Sequence, residues 1–192
     1  RARDAAIGHR AAAWRGGMDG YADSIEGMLY LLPWIGTGQA EQWVDEQTGI
    51  LLAHQQPDGF VGRTYLDGNY VRTALLYSLF RTGGARLDPW EPGVRLGAVR
   101  GPEGLHLAVS SARAWSGRVI FDTPRHREHL RLPFDYPRLN SWTEWFPVER
   151  ERNYMAVVAD SEQIMPGSAL VEGLPLELTA GDTVHLEIRH AG

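Results

Sequence analysis

Pro89-Trp90-Glu91-Pro92-Gly93-Val94-Arg95-Leu96-Gly97-Ala98 is the stretch at which this chain changes character. Upstream of it, apolar residues recur at steps of three and four, the period of a helix with one buried face. Downstream they alternate, the period of a strand. Helices followed by strands, rather than interleaved with them, argue against a doubly wound parallel sheet and for an α+β class. The predicted division is a helical portion over 1–92 and a β-sandwich over 93–192.

Reading back from Pro89, a helix is predicted from about Asn69 to Arg81, with Val71, Ala74, Leu75, Ser78 and Leu79 inward and Gly83-Gly84 as its stop. A second runs from Gln39 to about His54, anchored by Trp43, Val44, Ile50 and Leu51, with its last turn in doubt at Gly49. A third covers Asp19 to Leu32, with Ala22, Ile25, Met28, Leu29 and Leu32 on one stripe and Pro33 ending it. Ala2 to Trp14 offers a fourth. Reading forward, Val94-Leu96-Ala98 and Leu105-Leu107-Val109 flank a Gly101-to-Gly104 hairpin loop. Val119-Phe121, Met155-Val157 and Val184-Leu186-Ile188 continue the alternation. Six to eight such strands predict an antiparallel sandwich with one solvated face per sheet.

The chain has 192 residues, enough for one domain or two small ones. It has no Cys, which removes disulfides, thiolate chemistry and Cys-ligated metals. Its 19 basic residues are all Arg, so a P-loop Lys and Schiff-base chemistry are excluded. The net charge is −5, and neither half is basic, which argues against a nucleic-acid partner. No apolar run is long enough for a membrane span, and no signal peptide follows Arg1, so the reading is of a soluble chain of unassigned compartment. Because Arg1 is not Met and the helices are few, an upstream helical segment or a partner chain is expected.

Chemistry concentrates in two places. In Asp19-Gly20-Tyr21-Ala22-Asp23-Ser24-Ile25-Glu26, the three acids share one helix face. Asp19 fits a capping role. Glu26 lies two turns in, beside the apolar stripe, where burial favours acid–base work. In Gln55-Gln56-Pro57-Asp58-Gly59-Phe60 and Tyr65-Leu66-Asp67-Gly68-Asn69-Tyr70-Val71-Arg72, two Asp-Gly turns precede aromatics at a helix entrance. Turn formation accounts for each Asp-Gly pair alone. It accounts less well for Tyr65, Asp67, Asn69, Tyr70 and Arg72 crowding together, a set suited to a sugar or a uronate. Arg125-His126-Arg127-Glu128-His129 reads as a solvated strand rather than a metal site, since His129 would point away from His126 and Glu128. Asn140-Ser141-Trp142-Thr143-Glu144-Trp145-Phe146 reads as an aromatic core or a sugar platform. No metal or cofactor is predicted.

Asp19-Gly20-Tyr21, Gln55-Gln56-Pro57-Asp58-Gly59-Phe60 and Asp67-Gly68-Asn69-Tyr70, followed by a sandwich, resemble the carboxyl-terminal part of bacterial carbohydrate-active proteins of the (α/α)-toroid, or six-hairpin, type. The second piece also looks like the Gln-x-x-Asp-Gly-Trp repeat of terpene cyclases, with Phe60 in the Trp position. The resemblance implies a glycan or other small-molecule substrate and glycoside hydrolase or polysaccharide lyase chemistry. The acid–base candidates are then Asp23, Glu26 and Asp67, and the substrate-binding candidates are Tyr21, Tyr65, Asn69, Tyr70 and Arg72. The chain has fewer helices than a closed toroid needs. The competing reading is a non-catalytic structural or carbohydrate-binding module. Burial and contact of Glu26 and Arg72 separate the two.

Overall fold

The computed structural model describes residues 18–35, 38–61, 68–131 and 142–192. The helix expected over Ala2–Trp14, and the positions of Tyr65, Asp67, Asn140 and Ser141, lie outside these. The chain divides into two compact units, Arg1–Ser78 with Tyr136–Thr143, and Leu79–Asp135 with Glu144–Gly192. Among the described residues, no helix is long and apolar enough to cross a membrane.

The first unit is helical. Helix α1 spans Met18–Ile35, α2 Gly38–Leu52 and α3 Gly68–Thr82. Ala22, Ile25, Met28, Leu29 and Leu32 of α1 are all buried, as their spacing requires. Pro33 lies inside α1 rather than at its end. Its missing N–H removes a single bond, in the last turn, where Trp34 and Ile35 still continue the helix. Helix α2 buries Trp43, Val44 and Leu51 but leaves Ile50 51% exposed. Ile50 is one residue, about 100° of helical turn, away from Leu51.

The buried side of α3 is not the expected one. Tyr70, Thr73 and Leu76 are buried, whereas Val71 and Leu75 are 61% and 48% exposed. Steps of three and four fit both stripes, so apolarity alone chose the wrong face. The polar members of the true face are satisfied by tertiary partners. Thr73 Oγ1 donates to the Ala22 carbonyl at 3.2 Å, and Tyr77 OH donates to Asp45 Oδ1 at 2.8 Å. At the end of α3 the Gly84 N–H closes a bond to the Leu79 carbonyl at 2.9 Å, with Gly83 at φ 61° and Gly84 at φ 82°. That is the left-handed stop that two glycines permit.

The second unit is an antiparallel sandwich. Its strands are β1 (Arg86–Asp88), β2 (Val94–Arg100), β3 (Gly104–Ser111), β4 (Trp115–Ile120), β5 (Asn153–Val158), β6 (Ser161–Pro166), β7 (Leu174–Leu178) and β8 (Thr183–His190). Two short helices, α4 (Arg125–Glu128) and α5 (Gly167–Glu172), join β4 to β5 and β6 to β7. The sheets are ordered β1-β4-β7 and β2-β3-β8-β5-β6. Every pairing is antiparallel, with Leu107 opposite Ala98 and Leu186. Leu87, Val119 and Leu176 of the small sheet share one core with Leu105, Val109, Tyr154 and Ile188 of the large one. Gly104 sits where a Cβ would come within 2.2 Å of the Ile188 carbonyl oxygen, so the hairpin loop must be glycine there.

The class is therefore α+β, with two antiparallel sheets, and the β2–β3 hairpin forms across Gly101 and Gly104. Two local expectations change. In β5 the residues facing the core are Tyr154 and Ala156, not Met155 and Val157. Arg125–Glu128 is a short helix after Pro124, not a strand, and His126 on it is buried. Backbone turn bonds there, such as Glu128 N–H to the Pro124 carbonyl at 2.8 Å, replace a ladder. Trp145 and Phe146 are core, Trp145 lying 4.9 Å from the Phe80 ring, while Trp142 is 42% exposed.

Candidate functional site

Helix α3 sorts the candidate residues by angle. Tyr70 and Arg72 are two positions apart, about 200° around the helix, so they serve opposite sides. Arg72 faces α1. Its Nε donates to Glu26 Oε1 in a short bond, and its Nη2 stands 3.8 Å from Asp23 Oδ1. Glu26 is 5% exposed, and the Arg72 and Asp23 side chains are 33% and 53% exposed. The bond to Glu26 holds the Arg72 guanidinium above its ordinary pKa, against the opposing effect of burial, with smaller contributions from Tyr30 and Asp23. Glu26 and Arg72 are thus in direct contact, one of them buried, and together they tie α1 to α3.

The opposite side of α3 borders a cleft of about 580 Å³. Tyr70, Val71, Ala74, Leu75 and Ser78 form one wall. The other is the end of α2 and the loop after it, through Leu52, Gln55, Asp58, Phe60 and Val61. The loop has a closed frame. Gly59 N–H donates to the Gln56 carbonyl at 2.9 Å, and Gln56 N–H to the Phe60 carbonyl at 2.7 Å. Gly59, at φ 92°, takes the left-handed position that follows such a turn. Gln55 Nε2 donates to the Gly59 carbonyl at 2.9 Å, and Phe60 N–H donates to Asp58 Oδ1 at 3.1 Å. Gln55 and Val61 are paired by an isolated bridge. The Phe60 ring is left 51% exposed at the cleft.

Three polar side chains on the cleft keep bonding capacity. Gln55 retains its amide oxygen and a second N–H, Asp58 retains Oδ2, and Ser78, whose Oγ donates to the Ala74 carbonyl at 2.8 Å, retains its lone pairs. Asp58 is the one carboxylate among the described residues that line the cleft. The cleft therefore offers an apolar floor with an aromatic ring, an amide, a carboxylate and the Ser78 hydroxyl.

The predicted set divides accordingly. Asp23, Glu26 and Arg72 come together at the α1–α3 contact. Tyr70 lies on the cleft, and Asn69, half-buried, opens α3. Tyr21 is on α1, but its side chain, like Tyr65 and Asp67, lies outside the described residues. Gln55, Asp58 and Phe60 belong to a stretch that sequence reading singled out without naming them as site residues. Val71, Leu75 and Ser78 were missed because they were read as core. Among the described residues, no group of three metal-ligating side chains converges. Compared with known proteins, the chain matches no family model, no curated protein and no solved structure.

Proposed function

We propose that this chain is a glycan-binding part of a carbohydrate-active protein of the toroid layout, acting by binding rather than by catalysis. The observation that carries it is the cleft beside α3, where an exposed Phe60 and a buried Tyr70 meet Gln55, Asp58 and Ser78. A pyranose has an apolar C–H face and a rim of hydroxyls. The ring of Phe60 suits the first, and the spare amide, carboxylate and hydroxyl valences suit the second. The volume is ample for one or two sugar rings. The toroid frame draws its support from the helical order and the Asp-Gly turns, and an upstream helical segment is part of that reading.

A hydrolase needs two carboxyls across a cleft, about 5–9.5 Å apart. The described walls bring one, Asp58, while Asp23 and Glu26 are engaged by Arg72 on the other side of α3. The catalytic form of the reading, hydrolase or lyase, therefore rests on Asp67 and Tyr65. Calorimetric titration of the whole chain with cellohexaose, xylohexaose, mannohexaose and oligogalacturonate tests the proposal. Binding of at least one is expected, weakened about two- to tenfold in Phe60→Ala at unchanged melting temperature, an aromatic contact being worth about 0.5–1.5 kcal/mol. No binding to any, or glycan turnover at an ordinary enzymatic rate, would refute it.

A further inference from the structure

Among the described residues that line the cleft beside α3, Asp58 is the one charged side chain. Arg72 of α3 is turned away from it, bonded to Glu26 on the other side of that helix. Asp58 is exposed. Its Oδ1 accepts the Phe60 N–H at 3.1 Å, and among the described residues no cation pairs with its Oδ2. That bond ties the carboxylate to the backbone that carries the Phe60 ring, itself 51% exposed at the cleft. The turn is closed independently by Gln56 N–H to the Phe60 carbonyl and by Gln55 Nε2 to the Gly59 carbonyl. An open carboxylate and an open aromatic ring, two residues apart on a closed turn, suit a ligand with a positive charge beside an apolar face. Little ordering of the turn is left to occur on binding.

For a glycan, this makes the cleft selective by charge. A uronate would bring its carboxylate beside Asp58, with no cation among the described residues of either wall to receive it. A neutral hexose can use the ring and the hydrogen-bonding groups but leaves the charge of Asp58 unmatched. A 2-amino-2-deoxy sugar keeps an apolar C–H face for Phe60 and adds an ammonium, whose N–H groups form charge-assisted bonds to a carboxylate oxygen. We propose that the ligand of this cleft is a chain of amino sugars of the glucosamine type, with one ring face on Phe60 and an ammonium on Asp58 Oδ2. The proposal rests on the glycan-binding reading and names the substrate class of that site.

The test is calorimetric titration of the whole chain with a fully deacetylated glucosamine hexamer, its N-acetylated form, cellohexaose and oligogalacturonate. It is run at about pH 6, where amines are protonated. The glucosamine hexamer should bind about three- to fivefold more tightly than cellohexaose or the N-acetylated form, the range of an exposed ion pair. Oligogalacturonate should bind most weakly. Asp58→Asn, whose amide oxygen can still accept the Phe60 N–H, should bring the ratio of glucosamine hexamer to cellohexaose affinity to about one. Because the chain carries a net charge of −5, Glu177→Gln on β7, an exposed acid of the sandwich unit, serves as the control for unspecific attraction and should keep the preference. Cellohexaose binding as tightly as the glucosamine hexamer would overturn the amino-sugar assignment and leave the glycan-binding reading standing. A preference that survives Asp58→Asn, or that falls equally in Glu177→Gln, would also overturn it. Binding of none of the four would overturn both.

Discussion

Glu26 and Arg72 form one pair, yet their removal has unequal consequences. Glu26 is buried, and losing Arg72 would strand its charge. Arg72→Met should destabilise the first unit by about 3 kcal/mol. Arg72 is a third exposed and keeps Asp23 at 3.8 Å, so Glu26→Met leaves a guanidinium that can still reach water. That variant should lose only about 1 kcal/mol. Denaturant melts of both check the asymmetry, and equal losses would show that Arg72 is as enclosed as its partner. Tyr154 ties the stability of the second unit to alkaline pH. Its hydroxyl accepts the Glu149 N–H at 2.9 Å, and burial is the main cause that raises its pKa above the ordinary tyrosine value of 10.0. The unfolded chain therefore loses this proton first as pH rises. The stability tied to it is complete below about pH 10 and falls from there towards the folded pKa. Tyr154→Phe should flatten that alkaline decline, at a cost of about 1 kcal/mol near neutrality from the stranded N–H. Urea melts across pH 8 to 11 measure both effects.

At the scale of elements, α3 gives the sharpest contrast. Leu75 and Leu76 are neighbours in sequence, 48% and 1% exposed. Leu76→Ala should cost about 2–5 kcal/mol, and Leu75→Ala about 0.5 kcal/mol or less. Melting temperatures decide it, and a large loss at Leu75 would mean that the cleft wall is packed core. The same helix shows what sequence can give. Its limits were readable because Gly83-Gly84 is strong punctuation. Its inward face was not, because Thr73 and Tyr77 are made acceptable there by Ala22 and Asp45, residues far away in the chain. In β5, alternation fixed that Tyr154 and Met155 point opposite ways, but not which of them meets the core. On α1, by contrast, five apolar residues on one stripe left no second solution. The burial of Glu26 beside that stripe was legible; its partner, 46 residues on, was not.

At the scale of the whole molecule, the two units have cores of different construction. The helical core is made of stripes from short helices, whereas β3 and β8 are each paired on both sides within a five-stranded sheet. Amide hydrogen exchange should be slowest in β3 and β8. Leu76→Ala should speed exchange in α1, α2 and α3 and leave β3 and β8 slow. A common rise in both units would show that they open as one. The order helices-then-sheet was plain from the change in apolar period, since it needs only local pattern. The cleft was not, since its walls are formed by residues about fifteen positions apart in sequence, and only folding brings Phe60 to Leu75.

The loop from Gln55 to Val61 holds its shape through its own backbone and through the side chains of Gln55, Gln56 and Asp58. The ring of Phe60 takes no part in that frame. A change at position 60 therefore leaves the loop's construction intact while altering what the cleft presents to a visitor. Under the proposed glycan-binding role, such an arrangement would let mutation explore ligand preference one side chain at a time while the loop keeps its fold, with position 60 as the place to begin.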